Sequence, residues 1–486
     1  MFVVLNDIYA IRNERNCSYI VKKNGVSSLS QDNIPSIIVI PPFLGYILSQ
    51  IGQLEFELSI GQLSTKLKIN IEVLEIFIKK ILENPNPLKI KFKYELILPS
   101  KLLVKSASSK TINYPEEYLL NEFIPQRPKL PISINYMVTT KCSVNCVYCY
   151  ANRNLATDLD IKQVKQLLVD IYESGVINLT LTGGDIFAHA HWKEILNICK
   201  TYKFNLFIST KTPIDLDGII FLKDIGVTEI QFSIDSITPF ILENIIGSGS
   251  GYIEKVLFFI RQCEINDISI NIRTVLTSLN DDINSIESMY QVLSQFSNIS
   301  QWVITPAFYS YYNNSKDNNI QIDNNRLMHI YEKMNRIENP RIDIVFSKTS
   351  EQGYSLSKFD TKESFIESNQ ICNANSYSMS ILANGLCTVC EMLYDNPTFL
   401  IGDLKKDTLS SIWNSEKALE LYRLKQDNAP KDSPCASCHS FSDCRNKLDK
   451  RVCYVDVAKV YKHEKSVYFP DPRCPESIDT DLFLLL

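Results

Sequence analysis

No stretch of this chain is apolar for long enough to cross a bilayer. The most apolar segment, 34–51, carries Pro35, Pro41, Pro42 and Gln50 and is interrupted too early. A secretory segment at the N-terminus is not expected, because Asp7 stands where one needs unbroken apolar residues. Charge of one sign is not in excess either. Fifty basic residues stand against 55 acidic ones, for a net charge of −5. That balance points to neither a nucleic-acid nor a membrane partner, and the expected location is the cytoplasm. Cysteine is nearly missing from the first part of the chain. Only Cys17 precedes residue 142, whereas eight of the fourteen follow residue 370. In a reducing compartment such thiols argue for metal rather than disulfides. The length of 486 residues exceeds one typical core and suggests roughly three domains.

What is present is a dense thiol motif. Residues 142–149 read Cys-Ser-Val-Asn-Cys-Val-Tyr-Cys, directly after an apolar run at 132–138. The motif therefore sits on the loop leaving a strand. Three thiols at this spacing suit soft metals or an iron–sulfur cluster. Three ligands leave one metal position open, so a cubane [4Fe–4S] cluster bound by Cys142, Cys146 and Cys149 keeps one iron for a substrate. A closed zinc site is the competing reading, but it normally needs four ligands, often as two C-x2-C pairs.

The C-x3-C-x2-C pattern with aromatic Tyr148 before the last Cys resembles the radical S-adenosylmethionine (SAM) enzymes. The resemblance implies that SAM chelates the open iron and is cleaved by the reduced cluster to methionine and a 5′-deoxyadenosyl radical.

The surrounding sequence, 126–350, alternates six apolar runs with six helical stretches. The runs are 132–138, 178–181, 205–209, 229–234, 269–275 and 302–305. The helices are 161–173, 191–202, 216–225, 253–266, 283–296 and 325–337. This pattern predicts an α/β domain of parallel strands with helices outside. It agrees with the partial (β/α)6 barrel of the radical SAM family, with chemistry at the strand C-termini. The second run ends Thr182-Gly183-Gly184-Asp185, and two glycines allow close backbone approach to a ligand. The family usually has Glu after these glycines, binding the SAM amino group; here the residue is Asp185. The resemblance further implies SAM contacts at Ser209, at Asp235 in Ser233-Ile234-Asp235-Ser236, and at Arg273, which could pair with the SAM carboxylate. Each is equally readable as a satisfied strand-end polar group. Cys199 and Cys263 read as core residues within helices.

Residues 1–125 read as a small winged-helix-like domain. Strands are expected at 2–10, 18–22 and 36–40, helices at 43–51, 60–67 and 71–82, and one or two strands at 88–98. Ser59 and Asn70 are candidate N-caps. The helix 71–82 has only Lys79-Lys80 as a basic pair, too little for DNA recognition. The arrangement is similar to the peptide-recognition domain of enzymes that modify ribosomally made peptides. There a leader peptide adds a strand to the sheet, which places a groove here between 36–40 and 71–82.

Residues 351–486 are rich in Cys. Cys372, Gly385 and Cys390 form a C-x12-G-x4-C pattern, and Cys435, Cys438 and Cys444 a C-x2-C-x5-C pattern. Cys453 and Cys474 follow. A zinc ribbon would also use such pairs. The order resembles the SPASM domain, which holds two auxiliary [4Fe–4S] clusters. The resemblance implies one cluster on Cys372, Cys390 and Cys453 and another on Cys435, Cys438, Cys444 and Cys474. Two departures stand out. The step after Cys444 is C-x8-C where C-x3-C is usual, and Cys387 is extra, a candidate fourth ligand of the first cluster. Glu391, next to Cys390, is a candidate general base toward a substrate radical, or a solvated surface residue.

A peptide-reading domain, a radical SAM barrel and a twin-cluster domain together imply a maturase of ribosomally synthesised, post-translationally modified peptides. The expected partners are a precursor peptide, read through its leader, and a reductant such as flavodoxin or ferredoxin. The expected product is a thioether or carbon–carbon cross-link. A sulfatase-type maturase forming formylglycine is the alternative, and a non-catalytic iron–sulfur carrier another of a different class. The front domain speaks against the sulfatase-type reading, and the SAM-contact candidates speak against the carrier.

Overall fold

The structure is a computed structural model that describes residues 1–23, 35–91, 95–151, 158–308, 320–338, 340–346, 358–368, 372–448, 452–461 and 464–478. The chain divides into two compact units, Met1–Pro128 and Lys129–Leu486.

In the first unit, β2 (Tyr9–Asn13), β3 (Ser18–Lys22) and β4 (Ile37–Ile40) form an antiparallel sheet in that order, and β1 (Phe2–Leu5) pairs with β7 (Leu103–Ser106). The single strand expected over 2–10 is broken at Asn6. Its side chain accepts from Ile8 N and its carbonyl from Tyr9 N, a local turn that competes with extended structure. Three helices follow, α1 (Pro42–Gln50), α2 (Phe56–Leu67) and α3 (Ile71–Leu82). Asn70 caps α3 by accepting from Glu72 N and Val73 N. Ser59 does not cap α2, which starts earlier; its hydroxyl instead bonds back to Leu54 O. The helices bury Leu44, Ile47, Leu63, Leu74 and Ile78 against Ile20, Ile38 and Ile40 of the sheet. A hairpin of β5 (Leu88–Lys91) and β6 (Glu95–Leu98) completes the unit.

In the second unit the expected runs form parallel strands β8 (Ser133–Thr139), β9 (Asn178–Gly183), β10 (Asn205–Thr210), β11 (Glu229–Ser233), β12 (Ser269–Leu276) and β13 (Ile299–Pro306). Between them lie α4 (Ile161–Glu173), α5 (Trp192–Thr201), α6 (Leu216–Asp224), α7 (Pro239–Ile246), α8 (Tyr252–Ile265) and α9 (Ile283–Leu293), and α10 (Asn324–Asn335) follows β13. Two elements exceed the sequence reading. β14 (Asp343–Phe346) adds a seventh parallel strand, and α7 is a short helix with Pro239 at its start and left-handed Gly247 at its end. The Cys-rich segment does not begin a separate sheet. Its β15 (Ser378–Ile381) pairs parallel to β8, and β16 (Leu386–Thr388) and β17 (Leu400–Asp403) extend the same sheet to ten strands among the described residues. One continuous core therefore runs from Ile134 and Leu181 through Phe232 and Trp302 to Ile381 and Trp413. Among the described residues no helix is long and apolar enough to cross a membrane.

Candidate active site and cluster sites

The loop 140–149 leaves the C-terminal end of β8, as the order of runs predicts. Three sets of bonds hold it. At its base, the Asp158 carboxylate accepts from Thr139 Oγ1 at 2.7 Å and Thr140 N at 3.2 Å. Across the next strand end, Gly184 N donates to Thr139 O and Asp185 N to Lys141 O. At its far side, Asn145 N and Val147 N donate to the last carbonyls of α7, Ile246 O and Ile245 O. The unanticipated helix is thus a support of the thiol loop.

Gly183 and Gly184 serve this close approach directly. Gly183 has φ +137°, and a Cβ there would lie 2.3 Å from Thr139 O. At Gly184 it would lie 1.9 Å from Lys141 O. The backbone that comes close is the thiol loop itself, a reason for both glycines that needs no ligand.

Asp185 is 2% exposed, and its carboxylate is filled by protein donors. Oδ1 accepts from Phe187 N, and Oδ2 from Thr210 Oγ1, Lys211 N and Thr212 N at 2.8, 2.9 and 3.2 Å. It ties the end of β9 to the end of β10.

A second buried group lies beneath the thiols. Lys211 Nζ is 2.8 Å from Asp235 Oδ2, and Tyr148 donates its hydroxyl to the same oxygen at 2.7 Å. Asp235 Oδ1 accepts from Val275 N, and Tyr252 donates to Lys211 O. The ammonium also lies over the Tyr148 ring. Burial opposes the Lys211 charge, but Asp235 and the Cys146 thiolate outweigh it and hold its pKa above the ordinary lysine value. Burial pushes the Cys146 thiol up to about 11, with Lys211 working the other way. The charges of Cys142, Cys146 and Cys149 interact, so the three thiols face one region. Ser209 lies lower, accepting from Gln231 Nε2 at 2.7 Å. Arg273 on β12 is half-buried, and burial lowers its pKa. Nothing in the local sequence singles out Lys211; its pairing with Asp235 needs the fold to bring the ends of β10 and β11 together.

In the Cys-rich segment the thiols separate into two groups. Cys372, Cys390 and Cys453 lie within electrostatic reach of one another. Cys435, Cys438, Cys444 and Cys474 line one pocket. Gln426 Nε2 donates to the carbonyls of both Cys435 and Cys438 and fixes that turn. Cys387 is placed with neither group. It is fully buried on β16 in the apolar core, with its thiol toward Gly385 O and the Asp403 carboxylate. Cys387 lies within β16 with its thiol in the core, whereas Cys390 lies beyond the strand at the start of the following turn, so their ligand-like spacing does not bring them to one site. Glu391 is half-buried, not a solvated surface residue, and burial pushes its carboxyl up to about 7. Its charge is felt by Tyr150, which hydrogen-bonds Thr182 at the end of β9.

The residues present suit iron–sulfur clusters. In a cubane each thiolate binds its own iron, so thiols around a common space are what it requires. Beside the four-thiol pocket, Arg445 Nη1 is a buried donor with no partner, as a cluster sulfide would supply.

A parallel barrel with a strand-end thiol loop, continued by a segment with two thiol groups, defines an iron–sulfur enzyme. Residues 136–289 match the radical SAM superfamily, and residues 372–439 match SPASM, an iron–sulfur cluster-binding domain. The chain thus carries a radical SAM domain followed by a C-terminal SPASM domain. The first domain binds a [4Fe–4S] cluster and SAM, and the second binds auxiliary iron–sulfur clusters. The carrier reading falls with this.

Among relatives, the chain is 29% identical over 98 residues to the antilisterial bacteriocin subtilosin biosynthesis protein AlbA of Bacillus subtilis, covering 19% of this chain and 22% of AlbA. It is 24% identical over 181 residues to an S-adenosylmethionine-dependent nucleotide dehydratase of Selenomonas ruminantium, covering 35% of this chain and 63% of the dehydratase. The chain thus matches less than two thirds of the length of these relatives. Among solved structures, Streptococcus suis SuiB bound to its precursor peptide SuiA shares the fold with a TM-score of 0.65 at 15% identity, over 98% of this chain and all of that one.

Proposed function

We propose that this enzyme modifies a ribosomal precursor peptide, joining a substrate carbon to a Cys sulfur or to another side chain. The observation that carries the proposal is the front unit. It places a sheet whose β4 edge has no ladder partner among the described residues ahead of a SAM barrel in the chain, in a fold shared over nearly the full length with a protein solved bound to a precursor peptide.

Among the described residues β4 has a ladder partner only on the β3 side; β6 lies near it in a separate sheet. Lys22 N donates to Ser36 O, so by alternation the N–H groups of Ile38 and Ile40 also face β3. The N–H and C=O groups of Ile37 and Val39 face outward, where an added peptide strand would pair. On α3, Ile71, Val73 and Ile76 are exposed, and Lys79 is paired with Glu75 at 2.6 Å. An apolar, charge-neutralised helix suits a peptide better than a phosphate backbone.

When bound, the reduced cluster and SAM supply the 5′-deoxyadenosyl radical. The chain's own residues hold and aim it. Cys142, Cys146 and Cys149 ligate that cluster. Asp185, Gly183 and Gly184 keep the thiol loop against β9, acting through the loop rather than on SAM. Tyr148, Asp235 and Lys211 brace it from below. Arg273 receives the SAM carboxylate and Ser209 lies beneath it. Cys372, Cys390 and Cys453 hold one auxiliary cluster, and Cys435, Cys438, Cys444 and Cys474 the other. Glu391 takes the proton that the substrate releases. A flavodoxin or ferredoxin supplies electrons in the cytoplasm.

Val39→Pro tests the reading, because it removes an outward donor while leaving the β3 ladder. Peptide modification should fall sharply, with substrate-free SAM cleavage unchanged. Unaltered modification by Val39→Pro would remove β4 from peptide recognition.

A further inference from the structure

The two auxiliary thiol groups sit in different electrical surroundings; the four-thiol pocket is lined by Lys362, Arg445 and the Asp471 carboxylate, the last held by Arg473 at 2.8 Å. In the four-thiol pocket, Lys362 Nζ donates to Cys474 Sγ at 2.9 Å. Arg445 is 2% exposed; its Nη2 lies 4.0 Å from Cys435 Sγ and also donates to Phe469 O, and its Nη1 has no partner. Two cations thus reach sulfur directly. Around Cys372, Cys390 and Cys453 the charged neighbours are different. Among the described residues these thiols feel Glu391 and Asp456; the buried Lys459 beside Cys453 shares Asp456 with Arg473, which pairs with that carboxylate at 2.9 Å, so no cation reaches these thiols as Lys362 reaches Cys474.

Net charge and N–H donors to sulfur are two levers that set cluster potentials. A fixed cation favours whichever state carries one more electron, and in a dry pocket that preference is little screened. We propose that Lys362 and Arg445 raise the reduction potential of the cluster on Cys435, Cys438, Cys444 and Cys474 above that of the cluster on Cys372, Cys390 and Cys453. An electron reaching the C-terminal segment therefore settles in the four-thiol pocket. The step moves one electron from a low-potential flavin or iron–sulfur protein, which is oxidised by one electron. No bond forms or breaks and no proton moves. The inference rests on the ligand grouping proposed above and is independent of the peptide reading.

The test is an EPR-monitored dithionite titration of the reconstituted full chain, with Cys142, Cys146 and Cys149 replaced by Ala to silence the SAM cluster. Two midpoints are expected. Lys362→Met should lower the upper midpoint and leave the lower one unmoved, and Lys362→Arg should restore it. Independently, Cys453→Ala, which weakens the other cluster, should retain the upper midpoint. A Lys362→Met protein with both midpoints unchanged overturns the proposal, as does a Cys453→Ala protein that retains only the lower one. If Lys362→Met fails to hold iron, the Cys453→Ala arm still decides. Iron and sulfide content read in parallel separates failure of the ligand grouping from failure of the charge argument.

Discussion

Replacing Asp185 by Asn removes one charge and almost no volume, so its effect isolates what the carboxylate does. The carboxylate accepts four hydrogen bonds, three from backbone N–H groups and one from Thr210. An amide has a single acceptor oxygen. If that oxygen takes the Oδ2 position, the amide nitrogen meets Phe187 N, and a buried donor is left unpaired at about 1–3 kcal/mol. The three surviving bonds lose their charge assistance, roughly 1 kcal/mol each on the difference between charged and neutral bonds. The sum is roughly 4–6 kcal/mol, a large part of the about 5–15 kcal/mol that holds a domain folded. At roughly 2–4 °C per kcal/mol, the second unit of cluster-free protein should melt some 8 °C or more below wild type. Thermal unfolding by circular dichroism reads this, with SAM affinity of reconstituted protein measured alongside. SAM binding should fall only in proportion to lost iron. Unchanged melting with SAM affinity weakened by about 1.5–3 kcal/mol would show instead that the carboxylate is a ligand of SAM.

Three further outcomes are expected. Gly184→Ala should push the loops after β8 and β9 apart and lose iron from the SAM cluster; overpacking of about 1–3 kcal/mol is a lower bound where backbone cannot yield. Normal iron in that variant would refute the close approach. Lys211→Met should cost about 3–5 kcal/mol by leaving the buried Asp235 charge without its cation, and Lys211→Met/Asp235→Asn should recover part of it in urea unfolding. Glu391→Gln should keep 5′-deoxyadenosine release and lose cross-linked product by mass spectrometry; full product formation would exclude it as the base.

Much of the barrel was legible because its strands are buried on both faces and read as apolar runs between amphipathic helices. β14 was missed because Asp343–Phe346 is four residues long, and α7 because eight residues give too few turns for a period. The thiol motifs were visible as spacing alone, while their division into two auxiliary groups was implied by the resemblance to the SPASM domain. Cys387 shows the limit. Spacing suggests a ligand, but only the pairing of β16 with β15 and β17 shows which face it takes. Asp185 shows another. A carboxylate after two glycines looks available to a ligand until the turn after β10 brings its donors. Lys362 and Arg445 carried no signal, since nothing local distinguishes a lysine that will meet a sulfur over a hundred residues away.

The central claim is that the barrel acts on a peptide. The most direct measurement is the intact mass of a precursor peptide, encoded beside the gene, after incubation with reduced, reconstituted enzyme and SAM. A cross-link predicts loss of a pair of hydrogens per bond formed, dependent on SAM and accompanied by 5′-deoxyadenosine. SAM cleavage by enzyme with a fully active SAM cluster, with the mass of that peptide unchanged, would contradict it.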